Sequence, residues 1–188
     1  IARIARWIRT LRPEPFPEEL VDTSLLGQGS TLFTTYCAAC HALDGERIGQ
    51  VEPIELIGTD RSRLDSFDPE LAEAMNTLGA GKPWKFTHFR STDGYANAPI
   101  DGLWLRAPYL HNGSVPTLAD LLAPPADRPT GFCRGSTNFD YDRVGFVSTT
   151  DQSACNGFWF DTAAAGNGNE GHDYATDLTP AQKQALLE

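Results

Sequence analysis

The stretch Cys37-Ala38-Ala39-Cys40-His41 decides the fold that we expect for this chain. It has the C-x-x-C-H form by which a c-type haem is attached. Two thiols at the end of a helix can form thioethers with the two vinyl groups on one porphyrin edge, and the next residue places an imidazole under the iron. A zinc site or a redox dithiol also uses C-x-x-C, but zinc needs another ligand pair nearby and a thioredoxin-like motif needs a βαβ unit. We therefore predict one haem c, covalent through Cys37 and Cys40, with His41 as its proximal ligand.

A helix over residues 25–41 is predicted to deliver this motif, because apolar and aromatic residues recur there at helical spacing. Start signals predict two further helices. One has a cap, a first-turn proline and an acidic first turn at residues 68–70, and the other has a capping box with a first-turn proline at residues 179–182. A short helix is expected over residues 117–122. The fold class that we expect is mainly α, a cytochrome c-like helical haem domain with long irregular loops and minor β.

Long loops are predicted over residues 82–116 and 124–171, since 17 Gly and 13 Pro are scattered between the apolar runs. Short strands are expected near residues 145–147 and 157–160. Cys133 and Cys155 lie in the second loop region, outside the haem motif. Haem attachment in an extracytoplasmic compartment permits disulfides, so we predict that these two cysteines pair, the alternative being two separate buried thiols.

The N-terminal segment differs from the rest of the chain. Residues 1–12 have apolar side chains at helical spacing with four arginines between them, which predicts an amphipathic helix, and a Pro-rich stretch follows. This helix either packs on the core with solvated arginines, which we favour, or docks on a partner or membrane surface. The domain organisation that we predict is a helix and linker over residues 1–22 and a mono-haem domain over residues 23–188.

The net charge restricts the partners. The chain has 15 Lys+Arg against 25 Asp+Glu, which gives a formal charge of −10. We therefore do not expect it to bind nucleic acid, and we expect a redox partner with a basic surface. No apolar run is long enough to span a membrane, and no signal-peptide pattern is present at the start. Because haem attachment takes place outside the cytoplasm, we expect a periplasmic or extracellular location. Either a leader has been removed or the chain starts inside a longer polypeptide.

The second axial ligand of the iron has four candidates. Met75 is the only methionine of the chain, and a lone methionine on an amphipathic helix is more often a packing residue. His88, His111 and His172 are the three histidines outside the motif. His111 lies in a turn-rich loop, where it could bind a haem propionate or loop carbonyl groups. The residue types alone leave the choice open.

Residues 103–118, LWLRAPYLHNGSVPTL, resemble the A-P-Y-L-H-[ND]-G-S-x-x-T-L segment of the di-haem cytochrome c peroxidase superfamily. With Asp101-Gly102 before them, they are more similar to the branch that contains the bacterial rubber oxygenases. Residues 171–178 resemble the G-H-E-Y-G-T-D-L stretch near the C-terminus of that branch. Aromatic residues are frequent in the loop over residues 82–116 and suit the walls of a haem crevice, so we expect Trp104, Tyr109 and His111 to contact the cofactor.

The resemblance also implies an axial pair. The peroxidases place a methionine ligand about fourteen residues after the A-P-Y-x-H histidine, where this chain has Leu122-Ala123-Pro124-Pro125. In the oxygenase-like branch the C-terminal haem is bis-histidine with a distal histidine near the chain end, which points to His172. The expected iron ligands are His41 and His172, with Met75 as the weaker alternative.

Three functions follow from these observations. A sealed bis-histidine haem transfers electrons, as a carrier or as a subunit of a larger redox complex. Alternatively, the chain is the electron-transfer half of a di-haem peroxidase-like or oxygenase-like enzyme whose catalytic haem lies on an N-terminal segment. A third possibility is an interaction subunit whose basic first helix docks on a partner. Peroxidase activity by this chain alone is not expected, because the peroxidases use two haems and this chain has one C-x-x-C-H motif.

Overall fold

The computed structural model describes residues 2–188, and short elements joined by long loops make up this part of the chain. Its eight α-helices are α1 (Ala2–Ile8), α2 (Leu26–Tyr36), α3 (Ala38–His41), α4 (Ile54–Ile57), α5 (Ser62–Asp65), α6 (Pro69–Thr77), α7 (Leu118–Leu121) and α8 (Pro180–Leu187). Its six strands are β1 (Val51–Pro53), β2 (Gly94–Ala96), β3 (Gly131–Arg134), β4 (Phe139–Asp140), β5 (Gly145–Phe146) and β6 (Phe158–Asp161). The strands form three antiparallel pairs, β1 with β2, β3 with β6 and β4 with β5.

The prediction of a mainly α fold is wrong. Helix accounts for 34% of the chain and strand for 11%, and α2, with 11 residues, is the longest helix in the described part. The reason lies in the frequent Gly and Pro residues, which interrupt helical runs before they reach several turns. In the region from residue 124 to 171 the backbone groups pair across β3–β6 and β4–β5 or form turns instead.

The predicted helix starts are confirmed. The Asp68 carboxylate accepts a hydrogen bond from the Leu71 N–H at the start of α6, with Pro69 in its first turn. Thr179 and Gln182 form the predicted capping box of α8. The short helix α7 and the strands β5 and β6 also lie where the sequence predicted them. Local signals therefore locate these elements correctly, although they overestimate the total helix content.

Helices α2 and α8 pack together and form the main hydrophobic cluster. Leu32 of α2 and Ala185 of α8 are buried there with Ala175 and Leu178, which precede α8. The backbones come so close that a Cβ on Gly29 would lie 2.0 Å from the Ala185 carbonyl oxygen. Glycine at position 29 is therefore required by the crossing of the two helices. This contact fixes the direction in which α2 presents the cysteine motif at its end.

Helix α1 does not pack on the core, contrary to the expectation that we favoured. None of its residues is buried, and Trp7 is 62% exposed. The helix is also shorter than predicted and ends at Ile8, while Ile1 lies outside the described residues. The linker that follows does contact the domain, because Trp104 Nε1 donates a hydrogen bond to the Glu14 carbonyl oxygen at 2.9 Å. No helix within residues 2–188 has the length and apolarity needed to cross a membrane.

The predicted disulfide between Cys133 and Cys155 is confirmed, and it links β3 to the loop before β6. Its sequence separation is 22 residues. In the chain-entropy account, closing such a loop lowers the entropy of the unfolded state and stabilises the fold by about 3 kcal/mol.

We expect the double variant Cys133→Ala/Cys155→Ala to lose about that much free energy of unfolding, measured by urea denaturation. A change below about 1 kcal/mol would contradict this account.

Candidate haem site

The cysteine motif lies where α2 ends and α3 begins. The Cys37 N–H donates to the Phe33 carbonyl oxygen and closes the last turn of α2, while the His41 N–H donates to the Cys37 carbonyl oxygen and closes α3. Both thiols are free and half-buried. Burial raises the pKa of the Cys37 thiol, and the neighbouring Cys40 raises it further. Cys37 thus caps the short helix α3 and Cys40 lies within it, the spacing that two thioether bonds to one porphyrin edge require.

The His41 ring is oriented by the backbone. Its Nδ1 atom is 2.9 Å from the Ala98 carbonyl oxygen, so the N–H at Nδ1 donates and the lone pair of Nε2 remains free. A hydrogen bond of this kind sets the tautomer of histidines that bind metals through Nε2. Ala98 follows β2, which pairs with β1, so this contact connects the motif to the first sheet.

His172 faces His41 across a narrow space. The two ring centroids are 6.3 Å apart and the ring planes are inclined by 42°. The Tyr174 ring packs edge-on against His172, with ring centroids 5.1 Å apart. Burial and the facing His41 lower the pKa of His172 to about 4, so its imidazole is neutral at pH 7, the form that binds metals.

The separation of the two histidines fits an iron ion between them. A metal–imidazole bond is about 2 Å long, and with each nitrogen roughly 1 Å from its ring centre a metal bound by both rings holds the centroids about 6 Å apart. The observed 6.3 Å agrees with this value. With two free thiols on the adjacent turn, the residues present fit a c-type haem.

The backbone of the His172 loop is unusual. His172 has a φ of 52° and Gly171 a φ of 74°, both in the left-handed region. A non-glycine residue in that region carries a local conformational cost that the surrounding structure has to offset, and such residues cluster at functional sites. The His172 N–H donates to the Ile57 carbonyl oxygen at 2.7 Å. These contacts hold the ring in its position opposite His41.

The other three predicted pocket residues do not form one cluster. Trp104 packs against Phe16 and Phe139, with ring centroids 5.5 and 5.6 Å apart. Tyr109 is buried, and its N–H donates to the Val115 carbonyl oxygen. His111 stacks on Tyr95 at 4.6 Å. Within residues 2–188, no ring contact joins Trp104, Tyr109 or His111 to either facing histidine, so their role at a haem stays a prediction.

The remaining ligand candidates belong to α6 and to the loop after it. Met75 is half-buried in the last turn of α6, and His88 is exposed in the loop after it. Two residues that the sequence analysis did not single out do contact the site: Ala98, through its carbonyl oxygen, and Arg128, whose guanidinium donates to the backbone of the His172 loop. No signal in the sequence marks either residue, because both contacts join segments that are far apart in the chain.

Comparison with known proteins agrees with this assignment. Residues 94–133 match the family model described as RoxA-like, cytochrome c-like. Two proteins of Sinorhizobium fredii (strain NGR234) are similar to the chain. Uncharacterized protein y4iJ is 28% identical over 244 residues, covering 94% of this chain and 40% of y4iJ, and uncharacterized protein y4iM is 32% identical over 169 residues, covering 77% and 38%.

The chain thus spans about two fifths of the length of these curated relatives. The family match covers the 94–133 segment with Trp104, Tyr109 and His111, while the cysteine motif and the facing histidines come from the remainder of the chain. A cytochrome c-like domain implies haem c as its cofactor. The family match and the cysteine motif are consistent with a c-type cytochrome domain of the RoxA-like branch.

Proposed function

We propose that this domain holds one haem covalently through Cys37 and Cys40, with His41 and His172 as axial ligands, and that it transfers electrons. The observation that carries the proposal is the 6.3 Å separation of the two facing imidazoles directly beside two free thiols. The RoxA-like match supports the cofactor class.

The side chains divide the work of holding the cofactor. When bound, the haem supplies a one-electron Fe(III)/Fe(II) couple. Cys37 and Cys40 anchor one edge of the ring, and the Ala98 carbonyl keeps the Nε2 lone pair of His41 directed at the metal. His41 and His172 would both bind the iron, which would leave no open position for a substrate or oxygen. The domain therefore acts by outer-sphere electron transfer.

The partner that we propose is a redox protein with a basic surface. Its association with a domain of formal charge −10 is favoured by long-range attraction, which increases the rate of encounter. The location that we propose is periplasmic or extracellular. The formed Cys133–Cys155 disulfide supports an oxidising compartment, and covalent haem attachment belongs to the same side of the membrane.

The proposal is tested by a visible and near-infrared spectrum of the purified holoprotein, oxidised and reduced, with and without carbon monoxide. We expect a low-spin spectrum without the methionine-to-iron charge-transfer band and without response to carbon monoxide, because both axial positions are filled by imidazole. A sulfur band would assign the ligand to Met75. A high-spin haem that binds carbon monoxide would overturn the electron-transfer proposal.

A second candidate function is favoured by the comparisons. The relatives are more than twice as long as the region that they share with this chain, and the matched family is RoxA-like. In this second candidate function, the domain is the electron-transfer half of a longer di-haem peroxidase-like or oxygenase-like enzyme. The intact mass and the haem count of the native polypeptide separate the two candidates, since one haem per polypeptide excludes the di-haem enzyme.

A further inference from the structure

The loop that carries His172 has little support from regular secondary structure. Residues 167–173 form no helix, strand or turn. Their carbonyl groups therefore cannot be satisfied by a helix or a sheet, although a buried carbonyl group without a partner is costly. Something other than the local backbone must hold this loop, and with it the His172 ring, in position.

Arg128 provides that support. It is 3% exposed, and its guanidinium donates all of its five N–H groups to backbone carbonyl oxygens. The acceptors are Asn169 at 2.6 Å and Gly171 at 2.7 Å from Nη1, Leu121 at 3.1 Å and His172 at 3.4 Å from Nη2, and Ala123 at 3.2 Å from Nε. Three of these acceptors belong to the His172 loop, while Leu121 ends α7 and Ala123 follows it. One side chain thus joins the loop to a helix.

The arrangement differs from an ordinary ion pair. Within residues 2–188, none of the salt bridges involves Arg128. A buried cation without a carboxylate partner is expensive unless its donors are satisfied, and here five carbonyl oxygens satisfy them. The planar guanidinium of arginine can donate to two groups of carbonyl oxygens at once. A lysine offers three donors around a point charge and cannot do so, which explains why an arginine is buried here despite the cost of burying its charge.

The opposite side of the loop is held as well. The His172 N–H donates to Ile57, and Gly171 lies so close to Gly58 that a Cβ would be 2.3 Å from the Gly58 carbonyl carbon. Asn169 adds a further bond, from Nδ2 to the Pro129 carbonyl oxygen beside Arg128, at 2.8 Å. The loop is therefore held between the end of α4 and the Arg128 guanidinium. These contacts on its two sides determine the distance from His172 to His41.

We propose that Arg128 is the positioning residue that keeps His172 at iron-binding distance from His41. The inference rests on the proposed bis-histidine function and deepens it. Arg128 does not touch the iron position itself; it acts through the carbonyl oxygens on both sides of the distal histidine. Loss of the fork frees the loop, so that His172 leaves the iron for part of the time.

The test compares Arg128→Lys with the unmodified holoprotein. Lysine keeps the positive charge but loses two of the five donors. Because a hydrogen bond to a charged group is worth enough to shift an equilibrium by roughly tenfold, we expect the equilibrium constant for release of His172 to rise roughly tenfold, so that the variant binds carbon monoxide where the unmodified protein does not. Hydrogen exchange followed by mass spectrometry is expected to show faster exchange of residues 169–173, with α2 and α8 unchanged.

Arg143→Lys is the matched control. The Arg143 guanidinium binds the Asp120 carboxylate on α7 and makes no bond to the His172 loop, so this variant should leave the carbon monoxide response at the unmodified level. A second variant, Asn169→Ala, removes the neighbouring loop attachment without altering a buried charge. It tests the same clamp where Arg128→Lys fails to accumulate, and a smaller rise in carbon monoxide binding is expected.

The outcomes separate this inference from the proposed function. If the unmodified protein already binds carbon monoxide, the bis-histidine proposal fails first. If the unmodified protein is unreactive and both Arg128→Lys and Asn169→Ala stay unreactive, the positioning role of Arg128 is overturned and the electron-transfer proposal stands. Faster exchange throughout α2 and α8 in Arg128→Lys would also overturn it, since Arg128 would then support the whole fold and not the distal loop.

Discussion

His172→Ala is expected to keep its covalent haem and to convert the low-spin spectrum almost completely to a high-spin one that binds carbon monoxide. The ring of His172 is the group that faces His41 at 6.3 Å, and alanine offers no atom that can reach the iron. Attachment should survive, because the thiols and His41 lie at the junction of α2 and α3 and in α3, and the substitution removes none of them. Spectra of the oxidised and reduced variant, with carbon monoxide titration, measure the change.

His88→Ala is the matched control for this variant. It removes the same side chain from an exposed loop position, so its spectrum should equal that of the unmodified protein. An unchanged low-spin spectrum in His172→Ala would reject His172 as the ligand. A methionine-to-iron band in that same spectrum would assign the position to Met75 instead.

The double variant Cys37→Ala/Cys40→Ala is expected to lose covalent haem completely. Both thioether bonds require a sulfur atom, and the two free thiols of the described chain are these two. Gel electrophoresis under denaturing conditions with haem staining, together with the intact mass, shows whether any haem remains attached. We expect no stained band and the mass of the polypeptide alone.

The matched control removes the other two cysteines. Cys133→Ala/Cys155→Ala should be less stable but should keep its stained haem band, because its disulfide joins β3 to the loop before β6 and neither cysteine belongs to the C-x-x-C-H motif. Haem that stays on the denatured Cys37→Ala/Cys40→Ala chain would contradict attachment through the C-x-x-C-H motif. Haem lost from both variants would mean that attachment depends on the stability of the fold.

The features that could be predicted from the sequence are those that depend only on residues close together in the chain. The cap of α6 at Asp68 and the capping box of α8 at Thr179 depend on side chains within one helical turn, so their residue types suffice to predict them. The cysteine motif is likewise complete within five consecutive positions. The choice of His172 needed more, because it came from a family resemblance and not from its neighbours.

The features that could not be predicted depend on residues far apart in the chain. The mainly α prediction failed because capping signals show where a helix begins but not how soon Gly and Pro end it. The exposure of Trp7 could not be foreseen, since an amphipathic pattern fits a packed helix and an unpacked one equally well. Arg128 contacts backbone carbonyl oxygens. Every residue has such an oxygen, so the residue types do not indicate which ones Arg128 contacts.

The packing of α2 on α8 has a consequence for the order in which this domain can assemble. The helix that presents the cysteines, α2, packs its apolar side on α8, which lies far downstream of it in the chain. Contacts between segments so distant in sequence require a large loop to close before they stabilise anything, and they slow folding. During synthesis the haem-attachment cysteines are therefore present and accessible long before the core behind them can close.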